Sequence, residues 1–169
     1  MIAYDTIALK ESRDNMRKLL CSALILLCLS GCGSNKKEEP QKTTKCTMEQ
    51  KSGDITFTTI QDITYAGDVV KSQKQTVSAT LDKDDEDMQK KVEASIKENK
   101  AKYKDMKGIS YEASIDKNHI YTEVITFDFS KVSASDYGKV TNQKLEGDKL
   151  EIDYNQSISN LKKQKFTCN

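Results

Sequence analysis

A short apolar run near the N-terminus separates a targeting segment from the part of the chain that can fold. Residues 19–29 are almost entirely apolar and follow the basic pair Arg17 and Lys18. A helix of this length would be about 16 Å long, roughly half the thickness of the hydrocarbon core of a bilayer, so the run is too short for a permanent membrane span. A basic start followed by a short apolar stretch is typical of a secretion signal. We therefore expect the folded domain to follow this run.

The apolar run ends in Leu29-Ser30-Gly31-Cys32, which resembles a bacterial lipobox. In lipoproteins with this motif the cysteine thiol receives a diacylglycerol, and the signal peptidase then cuts on its N-terminal side. Cys21 and Cys28 each follow a leucine and therefore lack the small preceding residue that the peptidase needs. The motif predicts lipid attachment at Cys32 and cleavage between Gly31 and Cys32.

A diacylglycerol carries two acyl chains, which is enough for stable anchoring to a membrane. We expect Cys32 to hold the protein at the extracytoplasmic face of the cell membrane, with residues 32–44 as a polar tether. Residues 1–15 place acidic side chains ahead of the basic segment, which does not fit a signal peptide, so Met16 is the expected start. The expected plan is an over-called start at 1–15, a signal peptide at 16–31, the tether at 32–44 and a single domain at 45–169.

The charge of the chain argues against nucleic acid as a partner. Lysine and arginine number 27 against 26 aspartates and glutamates, a net charge of +1, whereas nucleic-acid-binding domains concentrate positive charge. Arg13 and Arg17 both precede Cys32, so the mature form would contain no arginine. It would then lack the planar fork that recognises phosphate or carboxylate at two points. We expect no nucleic-acid partner and no cofactor.

The first half of the domain shows the alternation of apolar and polar residues that is typical of half-buried strands. Residues 55–65 alternate in this way with one break near Ile60, and Gly67 and Asp68 then predict a tight turn. Residues 69–81 continue as a more polar strand, which suits the edge of a sheet. We interpret the two segments as an antiparallel hairpin.

Residues 84–107 carry the pattern of an amphipathic helix. Acidic residues crowd its first turn and lysines its last, which complements the helix dipole, and Gly108 follows as the residue expected to end it. The apolar stripe consists of Met88, Val92, Ile96, Tyr103 and Met106.

The remainder of the chain returns to strands. Residues 109–115 alternate, and residues 120–129 are apolar on both faces, which predicts a central strand. Leu150, Ile152 and Tyr154 alternate again.

The C-terminal segment predicts a short helix followed by a closing strand. Asn155 or Ser157 could cap a helix that carries Ile158 and Leu161, and residues 166–168 then form the strand. The expected class is α+β: an antiparallel sheet packed against one long helix plus a short C-terminal helix, in two layers.

Two cysteines, Cys46 and Cys168, remain once Cys21 and Cys28 leave with the signal peptide and Cys32 is acylated. An even pair outside the cytoplasm favours a disulfide bond, and two buried free thiols are the alternative. A bridge enclosing the 121 residues between them would stabilise the fold by about 4 to 5 kcal/mol in the chain-entropy model.

The sequence contains few candidates for catalysis or metal binding. The single histidine, His119, lies at an expected turn, so histidine-based chemistry would depend on it alone. The four acids Asp82, Asp84, Glu86 and Glu93 have the spacing of a calcium-binding loop. However, Asp87 stands where that loop requires glycine, and acids at a helix N-terminus explain the same pattern, so we expect no metal.

Several short segments, in this order and spacing, resemble the YehR-like family of small bacterial lipoproteins. The matching pieces are Ser30-Gly31-Cys32-Gly33, Tyr65-Ala66-Gly67-Asp68-Val69-Val70, Ala101-Lys102-Tyr103-Lys104 leading to Gly108, and residues 124–132 with Asp128 and Lys131. The family has no assigned biochemical function. The resemblance implies a compact two-layer α+β domain and supplies no catalytic residue.

These observations leave three functional hypotheses. The first is a lipid-anchored, non-enzymatic binding or structural module whose envelope partner or small ligand is unidentified. The second is a small-ligand carrier or accessory subunit of an envelope transporter, which would need a concave apolar pocket. The third is an envelope hydrolase that uses two carboxylates converging in a cleft. We expect no enzymatic activity.

Overall fold

The computed structural model describes residues 39–142 and 150–169, and these residues build a six-stranded sheet. The strands are β1 (Lys42–Ser52), β2 (Ile55–Ala66), β3 (Val69–Thr80), β4 (Ile109–Ile115), β5 (Ile120–Asp128) and β6 (Thr167–Cys168). Their order across the sheet is β4-β5-β3-β2-β1-β6, and every neighbouring pair is antiparallel.

Three helices are found in the described residues: α1 (Glu86–Tyr103), α2 (Ala134–Thr141) and α3 (Tyr154–Lys163). A side-chain oxygen caps the N-terminus of each, on Asp85, Ser133 and Asp153 respectively, and accepts a hydrogen bond from a backbone N–H of the first turn. Within residues 39–142 and 150–169, no helix is both long and apolar enough to cross a membrane.

The core lies between one face of the sheet and the helices. The larger cluster joins β5 to α2 and α3, with Phe127, Tyr137 and Leu161 at its centre. A second cluster joins α1 to β4 and β5 through Val92 and Ala113. The outward positions of the sheet are mostly threonine, serine and charged side chains instead. The fold is therefore α+β, as the alternation of residues predicts.

The interpretation of residues 69–81 as an edge strand is wrong, because β3 lies inside the sheet between β5 and β2. The polarity that suggested an edge comes partly from Gln73 and Gln75, which are fully buried on the inner face. Both hydrogen bond to Gln61 of β2, which offsets much of the cost of burying an amide. The hairpin with β2 is confirmed, and Gly67 occupies its turn with a φ of +57°.

The break in alternation near Ile60 does not interrupt β2, which runs through this position as one strand. Thr59 and Gln61 occupy the inward positions, and Ile60 points to the opposite face. The apolar pattern breaks here, but the strand continues because hydrogen bonding to β1 and β3 keeps its register.

Helix α1 ends at Tyr103, earlier than the expected boundary at 107, with Lys104 as its C-cap. Gly108 therefore does not end the helix but stands immediately before β4, with a φ of +74°. A Cβ atom at this position would lie 2.6 Å from the backbone nitrogen of Val132 and 2.8 Å from the carbonyl oxygen of Asp128. Glycine is required here by the close packing of two loops.

The segment before α3 differs from expectation as well. Residues 150–153 form no strand beyond a single bridge between Val69 and Asp153. Asp153, rather than Asn155 or Ser157, caps α3 by accepting a hydrogen bond from Gln156 N. Ile158 and Leu161 pack against the core, and β6 closes the chain, as predicted.

Two further features differ from the expectation: an additional helix and the start of β1. Helix α2 was not expected, although Ser133 followed by Asp136 has the spacing of a capping motif and Asp136 N does donate to Ser133 Oγ. Strand β1 begins at Lys42, so the last three residues of the expected tether belong to the sheet.

Candidate functional site

A disulfide bond joins Cys46 to Cys168 and connects the two ends of the folded region. The two residues are direct partners in the pairing of β1 with β6, with Cα atoms 4.0 Å apart. Cys46 is fully buried in the main core cluster. The bond fixes the last strand, which contributes only two residues to the sheet. Its position gives it a structural role.

The most unusual ionisable group of the described residues is Glu123, in the middle of β5. Its side chain faces the core with Tyr121, and the residue is only 7% exposed. The Oη atoms of Tyr111 and Tyr121 donate to the same carboxylate oxygen, Oε2, at 2.9 and 2.6 Å. Asn99 of α1 donates in turn to Tyr111 Oη at 3.4 Å. This chain of hydrogen bonds ties α1 to β4 and β5.

Burial raises the pKa of Glu123, because a carboxylate loses its hydration inside the protein. The hydrogen bonds from Tyr121 and Tyr111 act in the opposite direction, since they stabilise the charged form, but desolvation is the larger effect. Burial and the nearby carboxylate together raise the pKa of both tyrosines. The two phenols therefore act as hydrogen-bond donors.

A second polar group, which we term the glutamine ladder, consists of Gln61, Gln73 and Gln75 on the inner face of β2 and β3. Gln73 Nε2 donates to Gln61 Oε1 at 2.9 Å, and Gln61 Nε2 donates to Gln75 Oε1 at 2.5 Å. The outer atoms of the ladder, Gln73 Oε1 and Gln75 Nε2, have no hydrogen-bond partner among the described residues. The hydrogen-bonded cluster around Glu123 and the glutamine ladder are both buried. Their polar contacts therefore fit a role in specifying the fold.

The outward face of the sheet, which we term the open face, is a broad surface that spans the strands. Its outward positions are mostly threonine, serine and charged side chains, with Ile60 and Val124 facing outward in its central strands. Thr76 lies between these two residues in the register. Across the middle of the sheet, a side chain with a hydroxyl group therefore lies between two aliphatic side chains.

A shallow depression of about 270 Å³ lies at the β4 edge of the sheet. It is lined by Lys100, Glu112, Ala113, Ser114, Thr122 and Val124. Its lining combines one cation, one carboxylate and two hydroxyls with the apolar residues Ala113 and Val124. The depression can therefore both donate hydrogen bonds to a polar ligand and accept them from it.

The structure does not bring the candidate calcium ligands together. Asp82 Oδ1 accepts a hydrogen bond from the backbone of Asp84, and Glu86 pairs with Lys90 at 3.3 Å. Glu93 is exposed on α1, one turn beyond Gln89. In the described ranges, no group of three or more metal-binding side chains is found.

His119 occupies the turn between β4 and β5, as expected. Its φ is +58°, and its backbone links the turn to the end of β3, since Leu81 N donates to its carbonyl oxygen at 2.9 Å.

The expected lipid-attachment residue Cys32, the cleavage point after Gly31 and the start at Met16 lie outside the described residues.

Glu123 was not among the candidate residues predicted from the sequence. A signal was present, because Glu123 interrupts the apolar run 120–129 at a position that alternation places on the same face as Tyr121 and Ile125. An acid on the apolar face of a central strand requires a hydrogen-bonding partner. The partner Tyr111 is supplied by a neighbouring strand, which the sequence does not reveal.

The fold is shared with two solved structures. One is the NMR structure of the E. coli YehR protein, which is 20% identical in sequence, with a TM-score of 0.58 over 80% of this chain and 93% of that chain. The other is the NMR structure of a protein from Streptococcus pneumoniae TIGR4, which is 17% identical, with a TM-score of 0.55 over 85% of this chain and 94% of that chain. No protein-family model and no curated protein sequence matches the chain. The chain therefore has a YehR-like fold.

Proposed function

We propose that this chain is a lipid-anchored bacterial lipoprotein of the YehR-like family, held at the extracytoplasmic face of the cell membrane, and that it acts as a non-enzymatic binding or structural module. The observation that carries the proposal is the lipobox-like Leu29-Ser30-Gly31-Cys32, only nine residues before β1 begins at Lys42. The shared fold with YehR supports the assignment to the family.

The open face is the surface that would serve a binding role. Its hydroxyl groups can donate and accept hydrogen bonds, and the methyl groups of its threonines, with Ile60 and Val124, supply apolar contact. Such a face suits a broad, polar partner rather than a small substrate held for a reaction.

The depression beside β4 is the feature that a second candidate, a carrier of small ligands, would use. Its volume of about 270 Å³ is just below the size of typical small-molecule sites. Val124 is one of its apolar lining residues, so Val124→Lys would introduce a long charged side chain into the depression.

Lipidation is tested by metabolic labelling of bacteria that express the full chain, using an alkyne analogue of palmitate. We expect label on the wild type and on Cys28→Ser, the matched control, but none on Cys32→Ser. Mass analysis of the mature N-terminal peptide should show a diacylglycerol on Cys32. Label that persists in Cys32→Ser, or an unmodified N-terminus in the wild type, would refute the anchor.

The binding role is tested by thermal unfolding of the domain against a panel of envelope glycans, peptides and small metabolites. A ligand that binds the folded state raises the midpoint. A carrier should show a rise with a small metabolite that Val124→Lys abolishes, whereas Glu151→Lys, a charge change outside the depression, should leave it intact. A binding module should respond only to the larger polymers.

A further inference from the structure

We propose that one end of the domain faces the lipid surface and that the opposite, acidic end is the part held farthest from it. The first end, here called the hairpin end, contains the turn at Gly67 and Asp68. This inference rests on the proposed anchor at Cys32 and adds an orientation that the anchor alone does not specify.

The described chain begins beside the hairpin end. Lys42, the first residue of β1, pairs with Tyr65, two residues before Gly67. The carboxylate of Glu39 lies against the same turn, since a Cβ atom on Gly67 would be 3.3 Å from Glu39 Oε2. The chain therefore approaches the domain from this end.

The tether is short compared with the domain. Seven peptide steps separate Cys32 from Glu39, and an extended chain of that length reaches about 24 Å at most. Strand β2 contains 12 residues and extends for about 37 Å. The hairpin end therefore stays close to the anchor, while the other end can be held well beyond the reach of the tether.

The hairpin end is a well-packed part of the domain. The backbone N–H of Tyr154, at the start of α3, donates to Asp68 O at 2.8 Å, and Asn155 Nδ2 donates to Asp68 Oδ1 at 3.0 Å. The rings of Tyr65 and Tyr154 stack with centroids 3.6 Å apart. These contacts attach the turn firmly to α3 and the sheet. The hairpin end and the rest of the domain should therefore reorient together.

The opposite end, which we term the acidic end, comprises the segments 53–54, 81–87 and 116–119. The register brings them together, because Leu81 N donates to His119 O and β1 turns into β2 at the same level. These segments contain seven acids and two lysines, a net charge of −5 with histidine neutral. The hairpin end instead exposes Lys42, Lys71 and Lys107 together with Glu39 and Asp68.

Anionic lipids give a bacterial membrane a negative surface potential, which acts over about one Debye length, roughly 8 Å at physiological salt. A domain lying on its side would bring the acidic end into this layer, whereas an upright domain keeps it outside. Electrostatic repulsion and the short tether therefore favour the same orientation.

The orientation is tested by NMR with the lipidated mature protein, which begins at Cys32. The protein is isotopically labelled and inserted in nanodiscs of phosphatidylcholine and phosphatidylglycerol that contain a gadolinium-chelating lipid. We expect the amide signal of Gly67 to relax at least about tenfold faster than that of Gly53, the matched turn glycine at the acidic end, because Gly53 lies about 37 Å farther along β2. Equal relaxation, or faster relaxation of Gly53, would overturn the proposal.

A charge variant separates the electrostatic contribution from the tether. Asp84→Lys/Asp87→Lys reduces the negative charge of the acidic end at two exposed positions. We expect it to increase relaxation of Gly53 in anionic nanodiscs but not in nanodiscs of phosphatidylcholine alone. An unchanged profile in anionic nanodiscs would contradict the electrostatic part.

Failure of the anchor gives a different result from failure of the orientation. If Cys32 carries no lipid, the protein does not copurify with nanodiscs and neither glycine shows enhanced relaxation. If the protein is anchored but oriented otherwise, copurification persists and the difference between the two glycines disappears or reverses.

Discussion

Cys46 and Cys168 face each other across β1 and β6, and their disulfide bond joins positions 122 residues apart in the chain. A cross-link that closes so long a loop removes many conformations from the unfolded chain. The bond also holds β6, which pairs with β1 through only two residues.

We predict that Cys46→Ala/Cys168→Ala lowers the free energy of unfolding by about 4 to 5 kcal/mol, because the loop-closure entropy of the unfolded state is restored. Urea denaturation of the oxidised wild type and the double variant measures this difference. Reduction of the wild type should reproduce most of it. Two alkylatable thiols in the purified, non-reduced domain would contradict the bond itself.

Glu123 is expected to make stability depend on pH. Its pKa is higher in the folded protein than in the unfolded chain, so the folded state binds the proton more tightly. The contribution is fully present below the ordinary carboxyl pKa and is lost as pH rises through the raised pKa of Glu123. Glu123→Gln, which keeps an acceptor for the tyrosines, should remove this fall in stability.

Denaturation midpoints measured from pH 4 upwards test the effect. The control is Glu112→Gln, because Glu112 is exposed on the neighbouring strand β4. It should retain the wild-type pH dependence. A Glu123→Gln profile that parallels the wild type would exclude Glu123 as the source.

Removal of the central member of the glutamine ladder should cost more than removal of the whole ladder. Gln61→Leu leaves Gln73 Nε2 and Gln75 Oε1 without their partner, at about 1 to 3 kcal/mol for each buried polar group. Replacement of all three glutamines by leucine removes the unpaired groups together. Urea denaturation should therefore rank the triple variant above Gln61→Leu in stability, and the reverse order would show that the ladder contributes net stability.

Gly108 and Gly53 provide a matched pair for the effect of close packing. Both have positive φ, but a Cβ on Gly53 would meet nothing within 4 Å, whereas a Cβ on Gly108 would collide with the backbone of Val132. We expect Gly53→Ala to cost about 1 to 2 kcal/mol from backbone conformation alone, and Gly108→Ala to cost clearly more. Equal losses in thermal denaturation would show that the Val132 loop moves away freely.

The local elements followed closely from the sequence. The hairpin around Gly67, the long helix and the central strand that contains Phe127 were all predicted, because each depends on residues near one another in the chain. Boundaries were less accurate, since α1 ends at Tyr103, four residues before the expected boundary at 107.

The errors concern polar residues whose partners are distant in sequence. Gln73 and Gln75 suggested an exposed edge, yet Gln61 satisfies part of their hydrogen bonding inside the sheet. The buried position of Glu123 was not predicted for the same reason, since its partner Tyr111 reaches it from a neighbouring strand.

The sequence by itself determined the α+β class, the alternation that gives the sheet two different faces, and the two cysteines available for a bond in the domain. The tertiary structure decided that β3 lies inside the sheet, where buried amides and Glu123 find partners, and that Cys46 lies opposite Cys168. The physical reason is that alternation and capping are local, whereas the free energy of a buried polar group depends on a partner that only the assembled sheet brings within hydrogen-bonding distance.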